Sequence, residues 1–213
     1  MKFLSIATKR FLFQLSLLKK GTVFLYVLFF LFSIVLLSLF SKKILHIQMN
    51  EFHSSFFDFF FKHITYLGDG VMFGIAIIIF FFLNKRMSLV FAVSGVLTLL
   101  LTHLFKKIIF KGIPRPVKLI GEEHLHLVDG VKIAMMNSFP SGHTTTAFAI
   151  FTILILYSSK NSIQYLWLML AILAGVSRVY LSQHFWIDIF AGSILGILIG
   201  FISMMICFSE KSN

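Results

Sequence analysis

The chain reads as an all-α, polytopic membrane protein: six transmembrane helices in a single bundle, N-in/C-in. Three observations predict this. Of 213 residues, 58% are hydrophobic, 28 are Phe and the mean hydropathy is +0.94, far more apolar than an ordinary soluble domain. The apolar residues gather in runs close to the ~20 that a helix needs to cross a bilayer. The cations behind the net charge of +11 flank those runs, as membrane anchors and topology signals do. A soluble bundle made of such runs would have no polar face to show to water. The lipid bilayer is therefore the expected surrounding, and no nucleic acid is expected as a partner.

The first predicted span, 21–41, follows the basic residues Lys2, Lys9, Arg10, Lys19 and Lys20. A signal peptide has the same order, but this apolar run is long for one and no small-residue cleavage site follows, so the helix is expected to be retained. Residues 50–63 are rich in Phe, interrupted by His53, Asp58 and Lys62. They suit an interfacial helix on the outer leaflet or, equally, a loop with an aromatic belt. The second span covers 64–83, where Asp69 reads as a helix cap or as a carboxylate beside the site. The third covers 88–110. The polar connection 111–140 follows, with Glu122, Glu123, His124 and His126 in no recognised metal-ligand spacing. Its length and position suit a substrate lid.

The remaining spans are 141–158, 163–181 and 185–207. The single cysteine, Cys207, lies in the last of them and excludes an intrachain disulfide. No repeat or linker divides the chain, so 1–213 reads as one domain with a motif core at 106–188. Orientation rests on the short loops. The two sides carry similar numbers of cations until Lys106, Lys107, Arg115 and Arg178 are set aside as site residues; the basic residues before the first span then place the N-terminus inside.

Chemistry concentrates in three polar clusters. The first is Lys106-Lys107 followed by Arg115-Pro116. The second is Pro140-Ser141-Gly142-His143. The third is Ser177-Arg178, then His184 and Asp188. Ser141 suits an N-cap, and a helix start offers free N–H groups to an anion, with Gly142 allowing close approach. His184 and Asp188 are four apart and share a helix face, so the carboxylate can take the Nδ1 proton and aim Nε2 at a substrate. Arg178 can clamp phosphate oxygens. Arg115, set between Pro114 and Pro116, adds a second guanidinium, and Lys106 or Lys107 a further cation. Taken singly, each cluster has a plainer reading: a capped helix, chance interfacial polar residues, or snorkelling lysines.

Together the clusters resemble the type 2 phosphatidic acid phosphatase (PAP2) family of integral membrane lipid phosphatases. That family shows Lys-x6-Arg-Pro, then Pro-Ser-Gly-His, then Ser-Arg-x5-His-x3-Asp. Pro140 to His143 match the second motif, and Ser177-Arg178-x5-His184-x3-Asp188 matches the third at every position. The first departs, because Lys107 leaves seven intervening residues before Arg115 and Lys106 leaves eight. Lys106 is preferred for that role, with Lys107 the second choice.

The resemblance implies that His184 attacks phosphorus and forms a phosphohistidine, oriented by Asp188. It implies that His143 protonates the leaving oxygen and later activates water. Lys106 or Lys107, Arg115, Ser141, Gly142 and Arg178 would bind the phosphate, with no metal or other cofactor. The implied substrate is a lipid phosphate or diphosphate, of the undecaprenyl diphosphate, phosphatidylglycerophosphate or phosphatidic acid type, or lipid A. The implied place is a bacterial inner membrane, with the site facing the periplasm. Vanadium-dependent haloperoxidases share the motifs, but they are soluble and the apolar runs argue against them. A phospholipid-binding or transport protein with a decayed site is the non-enzymatic alternative, yet no catalytic His or Asp is missing.

Overall fold

The computed structural model describes residues 2–208, and among them all regular structure is helical. In chain order the helices are α1 (Lys2–Leu17), α2 (Lys20–Leu39), α3 (Lys42–Asn50), α4 (Ser55–Ile64), α5 (Val71–Leu83), α6 (Lys85–Leu104), α7 (Pro116–Ile120), α8 (Gly142–Tyr157), α9 (Asn161–Tyr180) and α10 (Trp186–Cys207). A 3-10 turn, Thr65–Gly68, follows α4, and a π-helical turn, Phe105–Ile109, extends α6.

Four helical segments are long and apolar enough to cross a membrane: Lys20–Leu39, Lys85–Ile109, Asn161–Tyr180 and Trp186–Cys207. Ser55–Gly68 and Val71–Leu83 make a fifth only as a pair bent by 61°. The continuous helix expected over 64–83 is thus broken. The break falls at Gly68-Asp69-Gly70, where Asp69 takes an extended conformation and its Oδ1 accepts from Val71 N at 2.9 Å, restarting the helix. The predicted span 141–158 forms α8, which has 16 residues; at ~1.5 Å per residue it is shorter than the ~30 Å hydrocarbon layer.

Helix α8 can be short because it lies at the centre of the bundle. Every residue from Thr144 to Ile153 is buried. Phe148, Phe151 and Ile155 pack with Phe29 of α2, Leu168 of α9 and Ile189 of α10. Ala149, Ile150 and Ile153 pack with Phe73 of α5, Phe91 of α6 and Ile199 of α10. Small residues let α10 approach it closely. A Cβ at Gly192 would meet Ser141 O at 2.7 Å, one at Gly196 Thr145 O at 2.5 Å, and one at Gly200 Thr152 Cβ at 2.9 Å. The same stripe carries the N-terminus of α10 against that of α8, and Ser141 N donates to Asp188 O at 3.0 Å. Outward faces expose Phe24, Leu28, Phe82 and Leu99, a surface that matches lipid rather than water.

One segment departs from expectation, and another takes one of the two forms expected for it. Helix α1 was not foreseen, because Lys9, Arg10 and Gln14 dilute its apolar residues below the density of a span. It packs through Phe11 against Phe201, with ring centroids 6.0 Å apart. Residues in the 50–63 stretch form a helix rather than a loop, starting where Ser54 Oγ accepts from Phe57 N at 3.3 Å. At the far end of the bundle Gln164 satisfies itself fully: Nε2 donates to Ile155 O and Ser158 O, and Oε1 accepts from Thr22.

Candidate active site

Helices α6, α8, α9 and α10 run alternately, so the end of α6, the start of α8, the end of α9 and the start of α10 meet at one end of the bundle. These ends bring the three polar clusters together.

His184 lies in the short connection from α9 to α10, and Asp188 in the first turn of α10. Both are nearly inaccessible, at 1% and 2% exposure, so water cannot compete for their pairing. Asp188 Oδ2 collects three contacts: Phe185 N at 2.9 Å, His184 Nδ1 at 3.3 Å and the donating hydroxyl of Ser138. A carboxylate accepting from Nδ1–H fixes the tautomer and leaves the lone pair on Nε2. Burial, followed by the nearby cations Lys106, Arg115 and Arg178 and by His143, holds the His184 imidazole well below its ordinary value. It is therefore neutral at pH 7, the form that has a lone pair to donate.

The cations come from three elements. Arg178, at the end of α9, is buried; its Nη1 donates to Thr65 Oγ1 at 2.7 Å, while Nε meets no partner. No carboxylate lies within ion-pair distance of it among the described residues. A buried guanidinium left unpaired is costly, and an anionic ligand is what would offset that cost. Arg115 is held by Nε to Met136 O at 3.0 Å and by Nη1 to Gln183 O at 3.0 Å. Burial lowers its pKa, with Asp188 opposing the shift, and an arginine remains charged regardless. Lys106 sits in the π turn, and its Nζ is 3.8 Å from where a Cβ on Gly142 would stand. Lys107, the alternative, is exposed. The widened turn, in which Phe110 N reaches Phe105 O at 2.7 Å, falls where the Lys-to-Arg spacing departs from the family pattern; such a turn accommodates an extra residue.

Ser141 caps α8, its Oγ accepting from Thr144 N at 3.3 Å, and Gly142 and His143 follow in the first turn. The 3-10 turn packs directly on this start, since a Cβ at Gly68 would lie 2.6 Å from His143 O. Asp69 serves both roles considered for it. It caps α5, and its Oδ2 lies 3.9 Å from His143 Nε2.

The expected site residues therefore converge, apart from Lys107. The residues that sequence reading missed are Ser138, Thr65 and Gln183, which hold Asp188, Arg178 and Arg115. No spacing links them to their partners; Thr65 and Arg178 are 113 positions apart. In the polar connection, His126 Nε2 pairs with Asp58 at 3.0 Å, and Glu123 pairs with His124 at the surface. Among the described residues no group of three or more His, Cys, Asp or Glu side chains is placed to hold a metal.

The sequence profile of the PAP2 superfamily matches residues 85–211. The chain is 27% identical over 119 residues to undecaprenyl-diphosphatase BcrC of Bacillus subtilis, covering 56% of this chain and 57% of that protein. The alignments to curated relatives span between 15% and 57% of their lengths. The crystal structure of Aquifex aeolicus LpxE superposes with a TM-score of 0.66 at 31% identity, over 75% of this chain and 92% of that one. A transmembrane PAP2-type phosphatidylglycerolphosphate phosphatase from Bacillus subtilis shares the fold, with a TM-score of 0.63 at 23% identity over 91% and 99% of the two chains.

Proposed function

The chain belongs to the PAP2 superfamily, and from that membership we propose that it is a metal-independent membrane phosphatase acting on a lipid phosphate or diphosphate. The observation that carries this reading is the neutral, buried His184, paired with Asp188 and surrounded by Lys106, Arg115 and Arg178. In the first step His184 Nε2 bonds to the terminal phosphorus, the bond from that phosphorus to the leaving oxygen (the lipid's own in a monophosphate, the bridging oxygen in a diphosphate) breaks, and His143 supplies that oxygen with a proton. In the second, His143 takes a proton from water, the resulting hydroxide displaces the phosphoryl group from His184, and inorganic phosphate leaves. Lys106, Arg115, Arg178, Ser141 and Gly142 hold the phosphoryl oxygens, neutralising charge as it develops. The names of the relatives support undecaprenyl diphosphate or phosphatidylglycerophosphate as substrate, with lipid A the alternative, and the resemblance to the family adds phosphatidic acid. The apolar flanks would keep the tails in hydrocarbon while the headgroup meets the cations.

The test is phosphate release by purified protein in detergent, with EDTA, from each of those four lipids. Turnover of at least one, unaffected by EDTA and inhibited by vanadate, is expected. Failure on all four, or activity restored only by a divalent ion, contradicts the reading. Within the site, Lys106→Ala lowers kcat/KM by about 10²-fold, whereas Lys107→Ala stays close to wild type; comparable effects of the two would remove Lys106 from the phosphate.

The same proposal places the protein in a bacterial inner membrane with both termini inside and the site at the outer face, counting α8 and the bent α4–α5 pair among six crossings. In a Cys207→Ala background, Glu123→Cys should react with a membrane-impermeant thiol reagent on intact spheroplasts and Lys85→Cys should not. The reverse pattern would put the site in the cytoplasm.

A further inference from the structure

The backbone that carries the nucleophile is strained at one residue. Ser182, two positions before His184, has φ +52 and is fully buried. A residue with a Cβ adopts this left-handed region only at a cost, whereas glycine enters it freely. Gln183 N and His184 N both donate to Arg178 O, at 2.9 and 3.0 Å, so the turn at Ser182 sets where the His184 ring stands. Its hydroxyl is held from outside this loop. His46 Nε2 lies 3.1 Å from Ser182 Oγ, and Asn50 Nδ2 donates to it at 3.4 Å. Both residues belong to α3, outside every cluster noted in the sequence; four positions apart, they share one face. His46 is 2% exposed, burial lowers its pKa to about 4 and so keeps it uncharged, and its ring stands edge-on to Phe185, 5.4 Å between centroids. Asn50 also ties down the loop after α7: its Nδ2 donates to His126 O at 2.9 Å and its Oδ1 accepts from His126 N at 2.7 Å.

We propose that His46 and Asn50 are positioning residues for the nucleophile, which grip the Ser182 hydroxyl, hold its left-handed backbone, and thereby keep His184 in register with Asp188. The inference rests on the phosphatase reading, and wild-type turnover tests that reading separately. Asn50 in addition links the 125–130 loop to the same grip, so that loop and the nucleophile share one anchor.

The test is a double-mutant cycle on kcat, with dioctanoyl phosphatidic acid in detergent micelles as the probe. His46→Ala should lower kcat about tenfold with little change in KM, since small displacements of a reacting group are costly, and His46→Gln, which keeps a donor, should recover most of the loss. Ser182→Gly should retain turnover, because glycine takes the backbone conformation without the hydroxyl. In that background His46→Ala should change kcat by less than about twofold, the signature of coupling through one contact. An equal fall in both backgrounds, an inactive Ser182→Gly protein, or no effect of His46→Ala on the wild type would each overturn the proposal. If His46→Ala fails to fold, the same cycle with Asn50→Ala decides, with the same outcomes.

Discussion

His184→Ala should reduce turnover by a factor on the order of 10⁴ or more, the scale seen when a covalent nucleophile is removed, while the protein remains folded in detergent. The expectation follows from how little else the site offers for attack. His184 is the imidazole paired with the buried Asp188, and Ser138 and Phe185 N complete the carboxylate's partners. An alanine there leaves Asp188 with two of its contacts and the cations in place, so substrate binding should persist with chemistry lost. Retention of full activity would remove His184 from the nucleophile's role.

Arg178→Ala should lower kcat/KM by about 10²- to 10³-fold, as for other preorganised donors to a transition state, without lowering Tm in the absence of ligand. The two halves of this expectation have one cause. Arg178 is buried, faces Thr65 rather than a carboxylate, and shares its surroundings with Arg115, so its charge opposes folding while it serves an anion. Vanadate should raise Tm of the wild type by binding the folded state and leave that of Arg178→Ala unchanged. Arg178→Lys should recover little, since an ammonium cannot reproduce a planar fork. A parallel loss of Tm and activity would instead mark Arg178 as a packing residue.

The catalytic ends of the bundle were legible in the sequence because they are local. Pro140 to His143 and Ser177 to Asp188 are contiguous, and the four-residue spacing keeps His184 within 3.3 Å of Asp188 Oδ2, although His184 lies in the connection before α10 and not on a shared helix face. The apolar runs likewise placed α2, α8, α9, α10 and the Lys85–Ile109 segment to within a few residues. What escaped was non-local or set by a single turn. Ser138 meets Asp188 across 50 positions, and His46 meets Ser182 across 136. The bend at Gly68 to Gly70 was hidden inside an apolar run, since composition registers apolarity and not direction. The π turn that holds Lys106 and Lys107 has no signature in spacing beyond an added residue. Helix α1 stayed out of view because Lys9, Arg10 and Gln14 dilute its apolar residues, although it packs through Phe11 against Phe201.

The central claim is a covalent phosphoryl group on His184, and rapid-quench labelling tests it most directly. Purified protein is mixed with a ³²P-labelled lipid phosphate that it turns over, quenched in base within the first turnover, and digested for peptide mapping. The account predicts label that is acid-labile and base-stable, carried on the peptide containing His184 and absent from His184→Ala. Label on another residue, or continued turnover with none trapped on His184, would contradict it.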